Sequence, residues 1–233
     1  RYLVRDLNEQ KVQTLFQKDI PGLVIQTAIQ FIRTAKNFQL TPTKIDDLFQ
    51  DINEHFSLAK MSNQIYHAYQ RNLEYRGAVD FDDLINKAYK VLSLDDSLLS
   101  RLQNKWPFIL EDEAQDSSHM QQRILALLSS SPDRQNWVRV GDPNQAIYES
   151  FTTADPQLLI SFLENADASH VLPNSGRSTE SIIDLANYLV SWCNSSHPVP
   201  EIRDALFPNM ILPSPPGDLQ PNPPNKPDQI HLY

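Results

Sequence analysis

Two short apolar runs, Trp106-Pro-Phe-Ile-Leu110 and Trp137-Val-Arg-Val-Gly141, are each bounded by Pro, Gly or Asp, and a segment of helical period from Ser118 to Leu128 lies between them. This order constrains the fold more than any other feature of the chain. A strand, a helix and a second strand joined at this spacing predict a parallel pair with a right-handed crossover, hence a three-layer α/β sheet. Ser169-His-Val-Leu172 adds a candidate further strand. Ser178 to Cys193 predicts an amphipathic helix with Ile182, Leu185, Ala186, Leu189, Val190 and Cys193 on one face.

Upstream, from Leu7 to about Leu102, the pattern is helical throughout. Apolar residues recur at spacings of three and four, first in Val24, Ala28, Phe31, Ile32 and Ala35, then in Phe56, Ala59, Ile65, Ala68, Tyr69 and Leu73. Pro21 and Pro42 suit first helical turns, Thr41 suits an N-cap, and Asp80 with Asp83 suits an N-cap and an acidic first turn. From Pro198 to Pro227 the chain carries ten of its seventeen prolines, which predicts an extended connector. Gln229-Ile-His-Leu-Tyr233 reads as the first strand of a further element.

Composition narrows the chemistry. Cys193 is the only cysteine among 233 residues, so neither a disulfide framework nor a multi-thiolate metal site fits, and no apolar run approaches the ~18 residues of a membrane span. A reducing, cytoplasmic setting is expected. Acidic residues outnumber basic ones, 29 against 20, and the net charge of −9 makes any nucleic-acid contact local. The chain begins at Arg1, without a basic and apolar leader, and reads as an internal piece of something longer. It has no GxxxxGK[ST] loop, and its five glycines are too scattered to build one.

The densest chemical signal is Glu111-Asp-Glu-Ala-Gln-Asp116, four carboxylates in six residues directly after the first strand pattern. Ligands in open α/β sheets bind beyond the carboxyl ends of strands, so these acids face the functional edge. The second strand ends in Gly141-Asp142, followed by Pro143-Asn144-Gln145, and acids at one edge can hold a divalent cation together with a phosphate. Simple capping of the following helix explains Asp116, beside Ser117 and Ser118, equally well. It explains Asp112 and Glu113 less well, because one of them lies nearly in the strand. An unpaired carboxylate buried there costs several kcal/mol, a cost that a metal relieves.

The run Phe-Ile-Leu-Glu-Asp-Glu-Ala-Gln-Asp (108 to 116), then Val-Gly-Asp-Pro-Asn-Gln-Ala-Ile-Tyr (140 to 148), then Arg177-Ser-Thr before a helix, resembles motifs II, III and IV of superfamily 1 DNA helicases of the UvrD/Rep type. Asp80-Phe-Asp-Asp-Leu84 is similar to the segment such helicases carry between subdomains 1B and 1A. The likeness runs from about Phe56 to Leu189 and recurs at Ile230 to Tyr233. It implies ATP and Mg²⁺ as cofactors and single-stranded DNA and duplex junctions as partners, with 3′-to-5′ polarity and no membrane. By the same resemblance, Asp112 helps hold Mg²⁺, Glu113 polarises the attacking water and Gln115 couples hydrolysis to motion. Gln145 senses the γ-phosphate, and Arg177 reaches that phosphate across the cleft between motor domains. Tyr148 and Phe151 fall where the family stacks aromatics on bases. Tyr148 reads more readily as core, and for Phe151 stacking has a slight edge over core.

The expected architecture is a partial RecA-like motor domain with a parallel sheet. A helical 1B-like part covers 1–78, the second half of motor domain 1A covers 79–172, and the start of motor domain 2A covers 173–233, with the connector at 198–227. Two departures stand out. Phe151 is followed by Thr152-Thr153-Ala154 where the family commonly has Arg-Gly-Ala, and Gly176 stands where it has a tyrosine that stacks on adenine. They keep open a helicase-like interaction module without turnover. A metal-dependent nuclease built on Asp112, Glu113 and Asp142 also explains the acids, though not Gln115, Gln145 or Arg177. Lys18, Arg33, Lys36, Lys60 and Arg71 are candidate DNA-backbone contacts, though scattered cations on amphipathic helices are usually solvated faces.

Overall fold

A computed structural model describes residues 13–50, 56–131, 134–146 and 155–226. The structure is mixed, largely helical, with small sheets, and it divides into two compact units. The first comprises 1–141 and 146–158, the second 142–145 and 159–233.

In the first unit a π-helical turn leads into α1 (Ile20–Asn37), which is followed by α2 (Pro42–Gln50), α3 (Ser57–Tyr75), α4 (Phe81–Leu94) and α5 (Asp96–Lys105). The starts follow the sequence signals. Pro21 lies in the first turn of α1, and the Thr41 hydroxyl accepts from Lys44 N at 3.3 Å. Asp80 and Asp83 form a reciprocal capping box on α4. α1 stops where Gln39 takes a left-handed conformation at φ 56° and Leu40 N reaches back to the Ala35 carbonyl, and Gly77 at φ 59° ends α3 in the same way. The apolar stripes of α1 to α3 meet in a cluster of Ile32, Ala35, Ile45 and Tyr66.

β1 (Ile109–Glu111) and β4 (Trp137–Arg139) are parallel, with Leu110 opposite Val138, and α6 (His119–Ser129) forms the crossover between them. A short antiparallel pair, β2 (Ser130–Ser131) and β3 (Arg134–Gln135), closes the return. The expected strand–helix–strand unit is therefore present. Among the described residues it is two strands wide and open on one face, with Leu110 at 77% exposure and Val138 at 51%. Two contacts fix the start of α6. Ser118 and Gln121 form a capping box at its start, and Asn37, at the end of α1, accepts from Met120 N at 3.1 Å.

The second unit includes the end of α7 (Pro156–Asn165), β5 (Asn174–Ser175), α8 (Glu180–Ser196) and β6 (Leu212–Pro213). The strand expected at 169–172 does not form. Val171 and Leu172 stand exposed, and the pairing begins past Pro173, where β5 lies parallel to β6. The proline-rich stretch, expected to be an extended connector, carries a 3₁₀ turn (Pro200–Ile202) and β6, and asparagine side chains anchor it. Prolines lack the N–H a ladder needs, and asparagine amides, which carry both a donor and an acceptor, supply it instead. Asn194 bonds both backbone groups of Leu206 (3.1 and 2.8 Å), Asn187 does the same for Ile211 (2.9 and 2.8 Å), and Asn144 for Phe207 (2.7 and 2.8 Å). The expected strand at 229–233 lies outside the described residues.

Candidate active site

β1 delivers the acidic run to the carboxyl end of the parallel pair, and there its members take different roles. Glu111, the last strand residue, is the buried one, with its side chain 7% exposed against an Arg139 side chain at 0%. Arg139 Nε donates to Glu111 Oε2 at 2.7 Å, Trp137 Nε1 donates to the same oxygen at 3.1 Å, and the Ser117 hydroxyl donates to Oε1. The remaining guanidinium nitrogens reach the carbonyls of Leu158 and Ala114 at 3.1 and 3.3 Å. The desolvation cost expected of an acid in the strand falls on Glu111, and an arginine rather than a metal relieves it. Glu111 thus ties β1 to β4.

Asp112 and Glu113 are exposed instead. The chain turns sharply at Glu113, which sits in the left-handed region at φ 52°, ψ 43°. For a residue with a Cβ this costs about 1–2 kcal/mol, strain of a kind that concentrates at functional sites. Ala114 N donates to the Val140 carbonyl at 2.9 Å and Val140 N to the Glu111 carbonyl at 2.8 Å, so both flanks of the turn are fixed by the sheet. Asp112 Oδ1 accepts from Glu113 N at 3.0 Å. Gln115, 2% exposed, donates Nε2 to Glu113 Oε2 at 2.7 Å. Its position orients the Glu113 carboxylate. Among the described residues Asp116 caps no helix, because Ser118 performs that task.

Asp142 and Gln145 belong to the second unit and bracket a 3₁₀ turn, Pro143–Gln145. Gln145 Nε2 donates to Asp142 Oδ2 at 2.9 Å, and Asp142 Oδ1 accepts from Asn144 N at 3.0 Å. Sequence reasoning paired Asp142 with Gln145 but missed Asn144, whose side chain anchors the turn to Phe207. Arg177 is exposed, lies between β5 and α8, and makes no hydrogen bond or ion pair among the described residues. Tyr148 and Phe151, with Thr152 and Thr153, lie outside the described residues. At Gly176 an added Cβ would stand 2.0 Å from the Gln220 carbonyl oxygen and 2.7 Å from Ser214 Oγ, so main chain fills the place of the expected aromatic.

A second polar centre joins the helices of the first unit. Lys36, a candidate DNA contact by sequence, is instead 2% exposed and pairs with Asp80 at 2.6 Å and Asp83 at 2.8 Å. The Tyr69 hydroxyl also donates to Asp80, at 2.9 Å. Burial alone raises the Asp80 pKa, but the bonds from Lys36, Asp83 N and Tyr69 and the Lys36 charge outweigh it and hold the carboxyl low. Burial, with its bond to Asp80, pushes Tyr69 up to about 12, and Asp82 is raised by burial and by Asp80. A cleft of about 710 Å³ opens here, lined by Lys36, Tyr66, His67, Asn86, Lys87 and Lys90 among others, well separated in the chain from the β1 acids.

Among the described residues no three or more His, Cys, Asp or Glu gather into a metal cage. A Mg²⁺ held by one or two carboxylates and the phosphates of its substrate needs no such cage. The exposed, oxygen-donating Asp112 fits that mode. No helix among the described residues is long and apolar enough to cross a membrane.

The UvrD/REP helicase N-terminal domain model matches residues 2–167, which reaches further upstream than the motifs and stops before Arg177. The chain is similar to the ATP-dependent DNA helicase PcrA of Staphylococcus epidermidis, 32% identical over 169 residues, 72% of this chain and 22% of the relative. PcrA of Leuconostoc citreum is 30% identical over 179 residues, 74% and 22% of the two chains. A probable DNA helicase II homolog of Mycoplasma capricolum is 31% identical over 142 residues, 60% and 19%. The chain thus spans about a fifth of the length of these curated relatives.

Proposed function

The chain belongs to the UvrD/Rep helicase family, and from that membership we propose that it is the central part of an ATP-dependent DNA helicase or translocase, moving 3′ to 5′ on single-stranded DNA. The observation that carries the reading is the turn at Glu113. An exposed carboxylate is held on a strained, sheet-fixed turn at the carboxyl end of a parallel pair, and a buried glutamine orients it. That arrangement suits a general base for water. Asp112, one residue earlier, would hold Mg²⁺, which when bound offsets the charge of the triphosphate. Gln145, braced by Asp142, would meet the γ-phosphate, and Arg177 would stabilise the charge that develops on it. Tyr148 and Phe151 would contact DNA bases. The open apolar face of Leu110 and Val138 agrees with a RecA-like sheet covered on both sides in the whole protein.

The reading without turnover drew on Gly176, but the close approach of Gln220 gives that glycine a packing reason of its own. The test is Glu113→Gln in the full-length protein. ATP binding stays near wild type while DNA-stimulated kcat falls by about 10²-fold or more, as when a general base is lost. Unchanged turnover would reduce Glu113 to a surface acid and refute the assignment.

A further inference from the structure

The turn that carries Arg177 is closed by a strap from the proline-rich segment. Asn222 Nδ2 donates to the Ser175 carbonyl at 2.6 Å and to the Ser178 carbonyl at 2.8 Å, the two carbonyls that flank Gly176 and Arg177. A primary amide has two hydrogens, so both bonds form together. Its oxygen accepts from Ser214 N at 2.7 Å, and the Ser214 hydroxyl donates to the Gln220 carbonyl at 2.8 Å. Gln220 in turn lies against Gly176, with no room for a Cβ between them. Further along, Ser181 N donates to Asn225 Oδ1 at 3.0 Å, fixing the strap to the first turn of α8. Every partner is in one unit. The backbone on both sides of Arg177 is thus clamped, while its guanidinium projects without a partner among the described residues.

We propose that Asn222 is a positioning residue for Arg177, acting through the Ser175 and Ser178 carbonyls, and that Gly176 is the residue that lets the strap seat. This rests on the reading above, in which Arg177 meets the phosphate. A long, exposed side chain loses catalytic value if its backbone wanders, because the charge must already be in place as the transition state forms. The strap supplies that order through three hydrogen bonds of a single amide, in a stretch where proline has removed the usual backbone donors.

The test is a double-mutant cycle in the full-length protein, reading DNA-stimulated ATP hydrolysis for Asn222→Ala, Arg177→Ala and the pair. Asn222→Ala lowers kcat about tenfold, with the same division between kcat and KM as Arg177→Ala, and the pair is no worse than Arg177→Ala alone. Gly176→Ala, which lifts Gln220 off the turn, gives the same pattern and stands in if Asn222→Ala fails to fold. If Asn222→Ala and Gly176→Ala turn over like wild type while Arg177→Ala is impaired, the inference is wrong and the reading of Arg177 survives. Losses that multiply in the pair mean that Asn222 serves stability alone, and they overturn the inference too. An inert Arg177→Ala overturns both, since nothing is left to position.

Discussion

Replacing Lys36 by methionine removes the cation from the centre of the first unit with little change in side-chain volume. In wild type its ammonium lies 2.6 Å from Asp80 and 2.8 Å from Asp83, with its own side chain 2% exposed. Methionine leaves two neighbouring, half-buried carboxylates facing each other and an aliphatic chain. Removing one partner of a buried ion pair costs about 3–5 kcal/mol, a large share of the roughly 5–15 kcal/mol that holds a domain together. The pH dependence gives a sharper check. The Asp80 carboxyl is held low in the folded state, so its stabilisation is present above the ordinary carboxylate value and lost as pH falls through the lowered one. Without Lys36, only the bonds from Asp83 N and Tyr69 are left to oppose burial, and the Asp80 pKa rises from its lowered value. The variant then gains relative to wild type on acidification, and the gap narrows below about pH 4, the ordinary carboxylate range. Equilibrium urea unfolding followed by far-ultraviolet circular dichroism between pH 3 and pH 8 measures this. A deficit under about 1 kcal/mol at neutral pH, or parallel profiles for the two proteins, would refute the account, because either outcome leaves the carboxylates satisfied without the lysine.

Glu111→Gln is expected to cost about 3–5 kcal/mol by leaving Arg139 buried without its counter-charge, and thermal unfolding should show it, whereas Asp116→Asn, at an exposed position that caps nothing, leaves the melting temperature unchanged. The 233-residue chain by itself is expected to give no DNA-stimulated phosphate release, because it carries no phosphate-cradling GxxxxGK[ST] loop, and measurable release would show that other groups hold the phosphates.

The fold was legible where local chemistry decides it. The capping residues Thr41 and Asp80, the first-turn prolines and the helical period all act over three or four residues, so sequence spacing alone locates those helix starts, whereas α6 is capped by Ser118 and not by Asp116. The parallel pair followed from connection length. The acids were harder. Four carboxylates in six residues look alike in sequence, and only the partner across the sheet distinguishes the structural Glu111 from the exposed Asp112 and Glu113. That partner, Arg139, is 28 residues away. Its place in Trp137-Val-Arg-Val was the available signal, since an arginine inside a short strand needs an anion beside it. Lys36 carried a similar signal, because it ends the stripe that runs through Ile32 and Ala35 and so points inward.

The proline-rich segment marks the limit of composition as a guide. Ten prolines between 198 and 227 predict an extended connector, and composition of that kind says nothing about attachment. The attachment is written in the asparagines. Asn144, Asn187, Asn194 and Asn222 each contact backbone through both ends of an amide, replacing the pairing that proline-rich backbone cannot offer. Each such residue is unremarkable in sequence, because asparagine is equally at home in a solvated turn. What distinguishes them is that their partners lie 8 to 63 residues away. Gly176 belongs to the same account. Beside the family pattern it is a missing aromatic, but beside Gln220 and Ser214 it is the one residue type that lets the strap reach the turn. The departure from the pattern and the length of proline-rich chain after α8 are thus two sides of one packing solution.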